Sequence, residues 1–235
     1  RGVDASPSLD VRLAWSPDDS FISTAGDDTL KLWDMATGRL VYTYSGHGSL
    51  VNAVAFTPDG QKLVSGAADK TVRTWDVATA KEIRTWVAHD NRLTSVEISP
   101  DGLYVATASL ANTKVRIWDI NTGREVRSFD GGQERLYSIE GKNLVNSLAY
   151  TPDGKALLAG SLGATKIWDT STGIEVGVLA GSASGNSSMS RSPDGKFLVN
   201  ASWSFNERPL FHLWSLETGR GVRTYQGHEN PINFV

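Results

Sequence analysis

His47, Ser65 and Asp69 are the residues of this chain whose types could do nucleophilic chemistry together. A serine hydroxyl, an imidazole to take its proton and a carboxylate to orient the imidazole make the constellation of acyl-transfer hydrolases. What stands around them argues the other way. Ser65 lies in "KLVSGAADK", which is not the strained glycine-flanked turn that exposes a nucleophile, and no oxyanion motif accompanies it. The remaining candidates offer less. His212 precedes Trp214 in an apolar run and reads as a packed side chain, and no His and carboxylate pair has metal-ligand spacing. There is no phosphate-binding loop or dinucleotide fingerprint, and the 23 glycines fall mostly in turns. No catalytic, cofactor or metal residue is assigned, and the chain is read as a non-enzyme.

Composition narrows the class. The 235 residues are 40% apolar, enough for a sizeable core. A net charge of −3 with no basic run gives no electrostatic footprint for nucleic acid and no polybasic segment for a membrane surface. There are no cysteines, which removes disulfides and thiolate metal sites. No apolar run approaches the length of a membrane span, and no signal peptide is evident.

The elements that hold these residues repeat. "KLWDMATGR" from Lys31 returns as "RTWDVATAK", "RIWDINTGR", "KIWDTSTGI" and "HLWSLETGR". The tryptophans are Trp33, Trp75, Trp118, Trp168 and Trp214, spaced 42, 43, 50 and 46 residues apart. A second phrase keeps step: "SPDD" at Ser16, "TPDG" at Thr57 and Thr151, "SPDG" at Ser99 and Ser192. Within one period, "VNAVAF", "KLVSG", "TVRTWD" and "EIRTW" read as strands, rich in β-branched and aromatic residues. Pro58-Asp59-Gly60, Ala68-Asp69-Lys70 and Ala78-Thr79-Ala80 supply the turns. Four short antiparallel strands make a small twisted sheet with two apolar faces. Such a sheet needs cover on both sides, which neighbouring copies provide.

The recurring Trp-Asp phrase and the Pro-Asp-Gly turns resemble the WD40-repeat β-propeller family over nearly the whole chain. The fold this implies is all-β, a propeller of four-stranded antiparallel blades. Residues 1–9 form an N-terminal segment and 10–235 the propeller, with blades at about 10–44, 51–86, 93–129, 145–179 and 186–225 and a partial sixth from 232. The family usually closes with about seven blades, so the chain reads as a fragment of a larger ring; its start at Arg1 and its end at "PINFV" read as cut. An open arc or a strained ring is expected, with end blades whose faces invite self-association.

The resemblance also reassigns the triad-like residues. In the family a His, a Ser or Thr, an Asp and the Trp form a buried structural tetrad, which here is His47, Ser65, Asp69 and Trp75. Polar groups buried together must satisfy one another. Other copies depart from the pattern. Blade 1 has Ser23, Asp27 and Trp33 without a preceding His; blade 3 has His89, Thr107 and Trp118 but "LANTK" for the Asp turn. Blade 4 has neither His nor Asp, and blade 5 has Trp214-Ser215 for Trp-Asp. Arg191 stands where Trp15, Phe56, Ile98 and Tyr150 stand in the other copies, and these departures put the rigidity of blades 4 and 5, and with it their register, in question. His228 after Gly227 reads as the tetrad His of the sixth blade.

Antiparallel connectivity sorts the loops into two ends. One end is uniform, with Pro-Asp-Gly and Thr-Gly turns or close variants of them in copy after copy. The other gathers the irregular segments: residues 110–112, the connection 130–143 and "WSFNERP" at 203–209. Irregular loops on one face of a repeat array often mark its binding face. The expected function is a non-catalytic scaffold, a module of a larger signalling or regulatory polypeptide, that takes a protein or peptide on this end. Arg135, Tyr137, Trp203, Phe205 and Arg208 are its candidate anchors, being of types enriched at hot spots. The alternative is a propeller hydrolase or lactonase with a site in the central channel. The first strands offer that site mainly Asn52, Thr94, Asn146 and Ser188. The expected setting is cytoplasmic, with no cofactor, nucleic acid or membrane.

Overall fold

The computed structural model describes residues 12–110, 114–130, 145–161, 164–180, 186–192, 194–202, 210–218 and 220–227. Among them the chain forms five four-stranded antiparallel sheets, each a simple meander in chain order. The first holds β1 (Arg12–Trp15), β2 (Phe21–Ala25), β3 (Thr29–Asp34) and β4 (Leu40–Ser45). The second holds β5 (Val51–Phe56), β6 (Lys62–Ala67), β7 (Thr71–Asp76) and β8 (Glu82–Val87). The third holds β9 (Leu93–Ile98), β10 (Tyr104–Ser109), β11 (Lys114–Asp119) and β12 (Glu125–Asp130). The fourth holds β13 (Val145–Tyr150), β14 (Ala156–Ser161), β15 (Ala164–Asp169) and β16 (Glu175–Ala180). The fifth holds β17 (Asn186–Arg191), β18 (Phe197–Ser202), β19 (Leu210–Ser215) and β20 (Arg220–Gln226). The first strands stand side by side, β1 next to β5, then β9, β13 and β17, so the sheets are arranged as blades about their inner strands.

Strand alternation gives each inner sheet two apolar faces. In the second sheet Phe56, Leu63 and Trp75 pack with Leu30, Leu32 and Tyr44 of the first. The other face turns Ala53, Val64 and Val72 to Leu93, Val96, Val105 and Trp118 of the third. From the second sheet on, the tryptophan therefore packs backward, onto the preceding sheet. Its partner is a bulky residue on that sheet's fourth strand. Trp75 meets Tyr44 edge-on at 5.8 Å, Trp118 meets Trp86 at 6.2 Å, and Trp168 stacks on Phe129 at 5.8 Å. Trp214 packs in the cluster of Leu179. In the first sheet Trp15, on the same face as Trp33, is 55% exposed.

Two bulges recur. On every fourth strand one residue is skipped opposite the tryptophan: Val41, Ile83, Val126, Val176 and Val222. All five side chains are exposed on the outer strand. A bulge twists an edge strand and interrupts its ladder, which blunts the edge against pairing with another chain. On the inner strands the skipped residues are Asn52, Thr94, Asn146 and Ser187. Asn52 donates to the carbonyl of Leu93 at 2.9 Å, and Thr94 to that of Val145 at 2.6 Å. The bulge thus aims a polar side chain at the next sheet's backbone. The register corrects the sequence assignment in the fifth sheet, where Ser187 and not Ser188 holds the position of Asn52.

The repeated turn phrases have a local cause. The Asp of each Trp-Asp pair accepts from the N–H and the hydroxyl of the Thr three residues on, as in Asp34 with Thr37 at 2.7 Å for both. Asp76 with Thr79, Asp119 with Thr122 and Asp169 with Thr172 repeat it. In the other turn the hydroxyl of Thr57 donates to Asp59 at 2.6 Å and accepts the N–H of Lys62 at 3.0 Å. In the Asp–Thr turns the residue after the Thr takes a left-handed backbone: Gly38 at φ 67°, Gly123 at 68°, Gly173 at 76°. Ala80 holds the same place at φ 58° with a side chain. A left-handed L-residue costs about 1–2 kcal/mol, partly offset here by the unfolded-state entropy that glycine adds. Ala80→Gly should therefore raise stability by about 0.5–1 kcal/mol in chemical denaturation. An unchanged or lowered midpoint would show that the turn carries no strain.

Candidate functional site

The structure brings His47, Ser65, Asp69 and Trp75 into one hydrogen-bonded chain. The Trp75 indole N–H donates to the Ser65 hydroxyl oxygen at 2.9 Å. Ser65 and His47 Nε2 are 2.8 Å apart, and His47 Nδ1 lies 2.9 Å from Asp69 Oδ2. A carboxylate only accepts, so Nδ1 carries the proton and Nε2 accepts from Ser65. Asp69 also accepts the N–H of Gly48 at 2.9 Å and the hydroxyl of Thr71 at 2.6 Å. The network ties the entry to β5, the middle of β6, the β6–β7 turn and β7.

The order from serine through histidine to aspartate is that of a nucleophilic triad, but the chemistry is closed. Ser65 is fully buried and the His47 side chain has no exposed surface. The Ser65 oxygen, which would attack, is already occupied by the indole N–H. Burial drives the His47 pKa below its ordinary value, against the pull of Asp69. Burial alone would raise Asp69, yet the Thr71 hydroxyl, the Gly48 N–H and His47 outweigh it and hold the carboxyl at about 2.

The other copies form partial versions. In the third sheet Trp118 donates to Thr107 at 2.9 Å and His89 Nε2 lies 2.9 Å from the same hydroxyl. His89 Nδ1 is buried without a partner. Desolvation, with Arg116 nearby, pushes this imidazole down to about 4. In the first sheet Trp33 bonds Thr24 at 3.0 Å, not Ser23, whose buried hydroxyl has no partner. Pairing of Ile22 with Trp33 puts Thr24 on the tryptophan's face and Ser23 on the other. In the fourth sheet the matching position is Ala159, two residues after the Leu157 that pairs with Trp168. In the fifth, Asn200 takes the role unforeseen in the sequence, accepting from Trp214 at 2.7 Å. His212 is buried, with Nδ1 3.1 Å from the Thr224 hydroxyl and Nε2 unpartnered.

Arg191 does not disturb the fifth sheet. It pairs with Leu198, which pairs with Trp214, as Phe56 pairs with Leu63 and Leu63 with Trp75. Its guanidinium donates to the backbone carbonyl of Tyr150 in the fourth sheet. The Tyr150 N–H in turn donates to Glu97 of the third. One peptide segment is thus held from both sides by side chains of its two neighbours. Desolvation pushes the Glu97 pKa up to about 7 despite Arg191.

Among the described residues no group of three or more His, Cys, Asp and Glu could hold a metal, and no helix is long and apolar enough to cross a membrane. Arg135, Tyr137, Trp203, Phe205, Arg208 and His228 lie outside the described residues.

Five meander sheets arrayed about their inner strands, the second to fifth each locked to the one before by a tryptophan, define a repeat protein of β-propeller blades. The family model described as "WD domain, G-beta repeat" matches residues 7–34, 38–76, 80–119 and 133–169, more than half of the chain. The chain belongs to the WD40 family. The U5 small nuclear ribonucleoprotein 40 kDa protein of Homo sapiens is 40% identical over 50 residues, 21% of this chain and 14% of its own. The Lissencephaly-1 homolog of Dictyostelium discoideum is 50% identical over 38 residues, 16% of this chain and 9% of its own. The guanine nucleotide-binding protein subunit beta of Oryza sativa subsp. japonica is 40% identical over 55 residues, 23% of this chain and 14% of its own. The chain thus spans at most about a seventh of the length of these relatives.

Two pH effects follow with opposite sign. The folded pKa of Asp69 is depressed, so its contribution is present above about 3.8 and lost as pH falls toward 2. Asp69→Ala should cost about 1–3 kcal/mol at pH 7 by leaving buried partners unpaired, and should weaken the acid loss of stability. A variant as stable as the parent at pH 7 would show that the network carries no load. The folded pKa of Glu97 is raised, so stability is highest below its unfolded value of 4.5 and falls as pH rises through about 7. Between pH 6 and 8 the parent should lose about 1 kcal/mol, and Glu97→Gln should flatten that slope. Parallel profiles in denaturant titrations would place Glu97 in contact with water.

Proposed function

We propose that this chain is a cytoplasmic, non-catalytic interaction scaffold that takes a protein or peptide partner. The reading is supported above all by the closed state of the triad-like constellation of Ser65, His47 and Asp69. Its nucleophile is buried and its hydrogen-bonding capacity is consumed within the sheet. The names of the relatives support it too: a ribonucleoprotein component and a G-protein subunit are parts of assemblies.

The proposed partner end is the one bearing the β10–β11, β12–β13 and β18–β19 connections. Antiparallel pairing puts those strand ends opposite the Asp–Thr and Pro-Asp-Gly turns. The turns at the opposite end are accounted for by folding, through their repeated side-chain bonds. The segments 130–143 and 203–209 have no such explanation in the repeat, and they carry Arg135, Tyr137, Trp203, Phe205 and Arg208. Trp203→Ala and Tyr137→Ala should each weaken partner capture by about 2 kcal/mol with little change in folding, the loss typical of a hot-spot aromatic. Asp59→Ala at the other end serves as the control in the same affinity-capture experiment. Loss of capture only with Asp59→Ala would reverse the assignment.

A further inference from the structure

A cavity of about 510 Å³ opens between the third and fourth sheets, at the end that carries the uniform turns. Asp101, Tyr104, Arg127, Tyr150, Asp153 and Ser171 are among the residues that line it. The neighbouring gap, between the second and third sheets, shows what the same space takes when the chain fills it. There the Lys62 ammonium crosses from β6 and donates to Asn121 Oδ1 of the β11–β12 turn at 2.9 Å. Pairing of Lys62 with Asp76 and of Tyr104 with Asp119 makes Tyr104 the positional equivalent of Lys62. Two residues past those strand-end aspartates, Ser171 after Asp169 is the equivalent of Asn121 after Asp119. Tyr104 stays packed against the apolar cluster of its own interface. The third-to-fourth gap therefore keeps the general wall of the repeat and lacks the cation that bridges the previous one.

The charges on the wall favour a cation. Asp101 and Asp153 are exposed; the Lys155 ammonium, 81% exposed and not among the lining residues, stands 3.8 Å from Asp153, and hydrogen bonds from the Lys155 N–H and the Thr151 hydroxyl hold the Asp153 carboxyl below its ordinary value, so it is ionised at neutral pH. Arg127 is the one cation among those six residues, and it runs alongside Gly173 of the next turn. Its counterpart Arg84 runs alongside Gly123 in the filled gap, where it coexists with Lys62. An arginine at this place is thus compatible with a lysine beside it. The ring of Tyr104 adds a face for a cation to lie on.

We propose that this inter-sheet cleft is a docking slot for a lysine side chain of a protein partner, occupying the place that Lys62 fills one repeat earlier. It lies at the opposite end from the partner surface proposed above and stands independently of it. The cleft supplies carboxylates for the ammonium and apolar wall for the methylene stem, the two parts of a lysine that prefer different surroundings.

The test is a nuclear magnetic resonance titration of the 235-residue chain with three capped tripeptides, Gly-Lys-Gly, Gly-norleucine-Gly and Gly-Glu-Gly. The lysine peptide should shift the amide signals of Gly154 and Ser171, and the other two should not. Tyr104→Lys lets the chain fill its own cleft and should weaken lysine-peptide binding about tenfold or more, while Asp153→Asn, which keeps the turn's acceptor oxygen, should weaken it about threefold. Thermal denaturation of both variants checks that they are folded. Equal binding of the norleucine peptide, binding of the glutamate peptide instead, no binding at all, or undiminished binding by folded Tyr104→Lys would each overturn the assignment.

Discussion

A four-stranded sheet that is apolar on both faces cannot stand alone in water, and the rest of this structure follows from how that constraint is met. Each sheet is covered by its neighbours, and the contact is made directional by one tryptophan reaching back to a bulky side chain on the preceding outer strand. Trp75 on Tyr44, Trp118 on Trp86 and Trp168 on Phe129 are the same contact with different partners. An indole carries a polar N–H into that apolar interface, where an unmet donor is costly. The hydroxyl or amide that accepts it is therefore supplied from the adjacent second strand: Thr24, Ser65, Thr107 or Asn200. Ser65 needs a partner for its own proton, His47 takes it, and Asp69 orients the imidazole. The apparent triad is the tail of a satisfaction problem that begins with tryptophan packing.

The same logic explains why the copies can differ. Only the indole N–H is fixed by the packing, so the acceptor can change chemistry and the His and Asp can be absent. The third sheet keeps the His and leaves its Nδ1 unmet; the fifth replaces the hydroxyl by an amide. Connections between sheets are equally varied. Bulged Asn52 and Thr94 reach the next backbone, Lys62 reaches Asn121, and Arg191 with Glu97 grips the Tyr150 peptide from two sides. Repetition sets the frame, and these unlike bonds give each interface its own surface.

Much of this was legible from the residue string. The 42-to-50-residue spacing of Trp33, Trp75, Trp118, Trp168 and Trp214 and the alternation of "TVRTWD" fix strands, turns and their order, because they express local backbone preference and face periodicity. The Pro-Asp-Gly and Asp-x-x-Thr phrases bond within themselves, so they can be read without knowing what surrounds them. What the tertiary structure decided depends on register and on neighbours distant in sequence. Counting back from Asp27 selects Ser23, whereas a second strand of five residues puts Thr24 on the tryptophan's face. No local signal says that Asn200 will meet Trp214, that Arg191 will bond a carbonyl 41 residues away, or that Tyr104 will leave open a gap whose counterpart one repeat earlier Lys62 bridges. Those outcomes are set by which side chains the packing of successive sheets brings face to face, and a one-residue change of register moves a side chain to the other face.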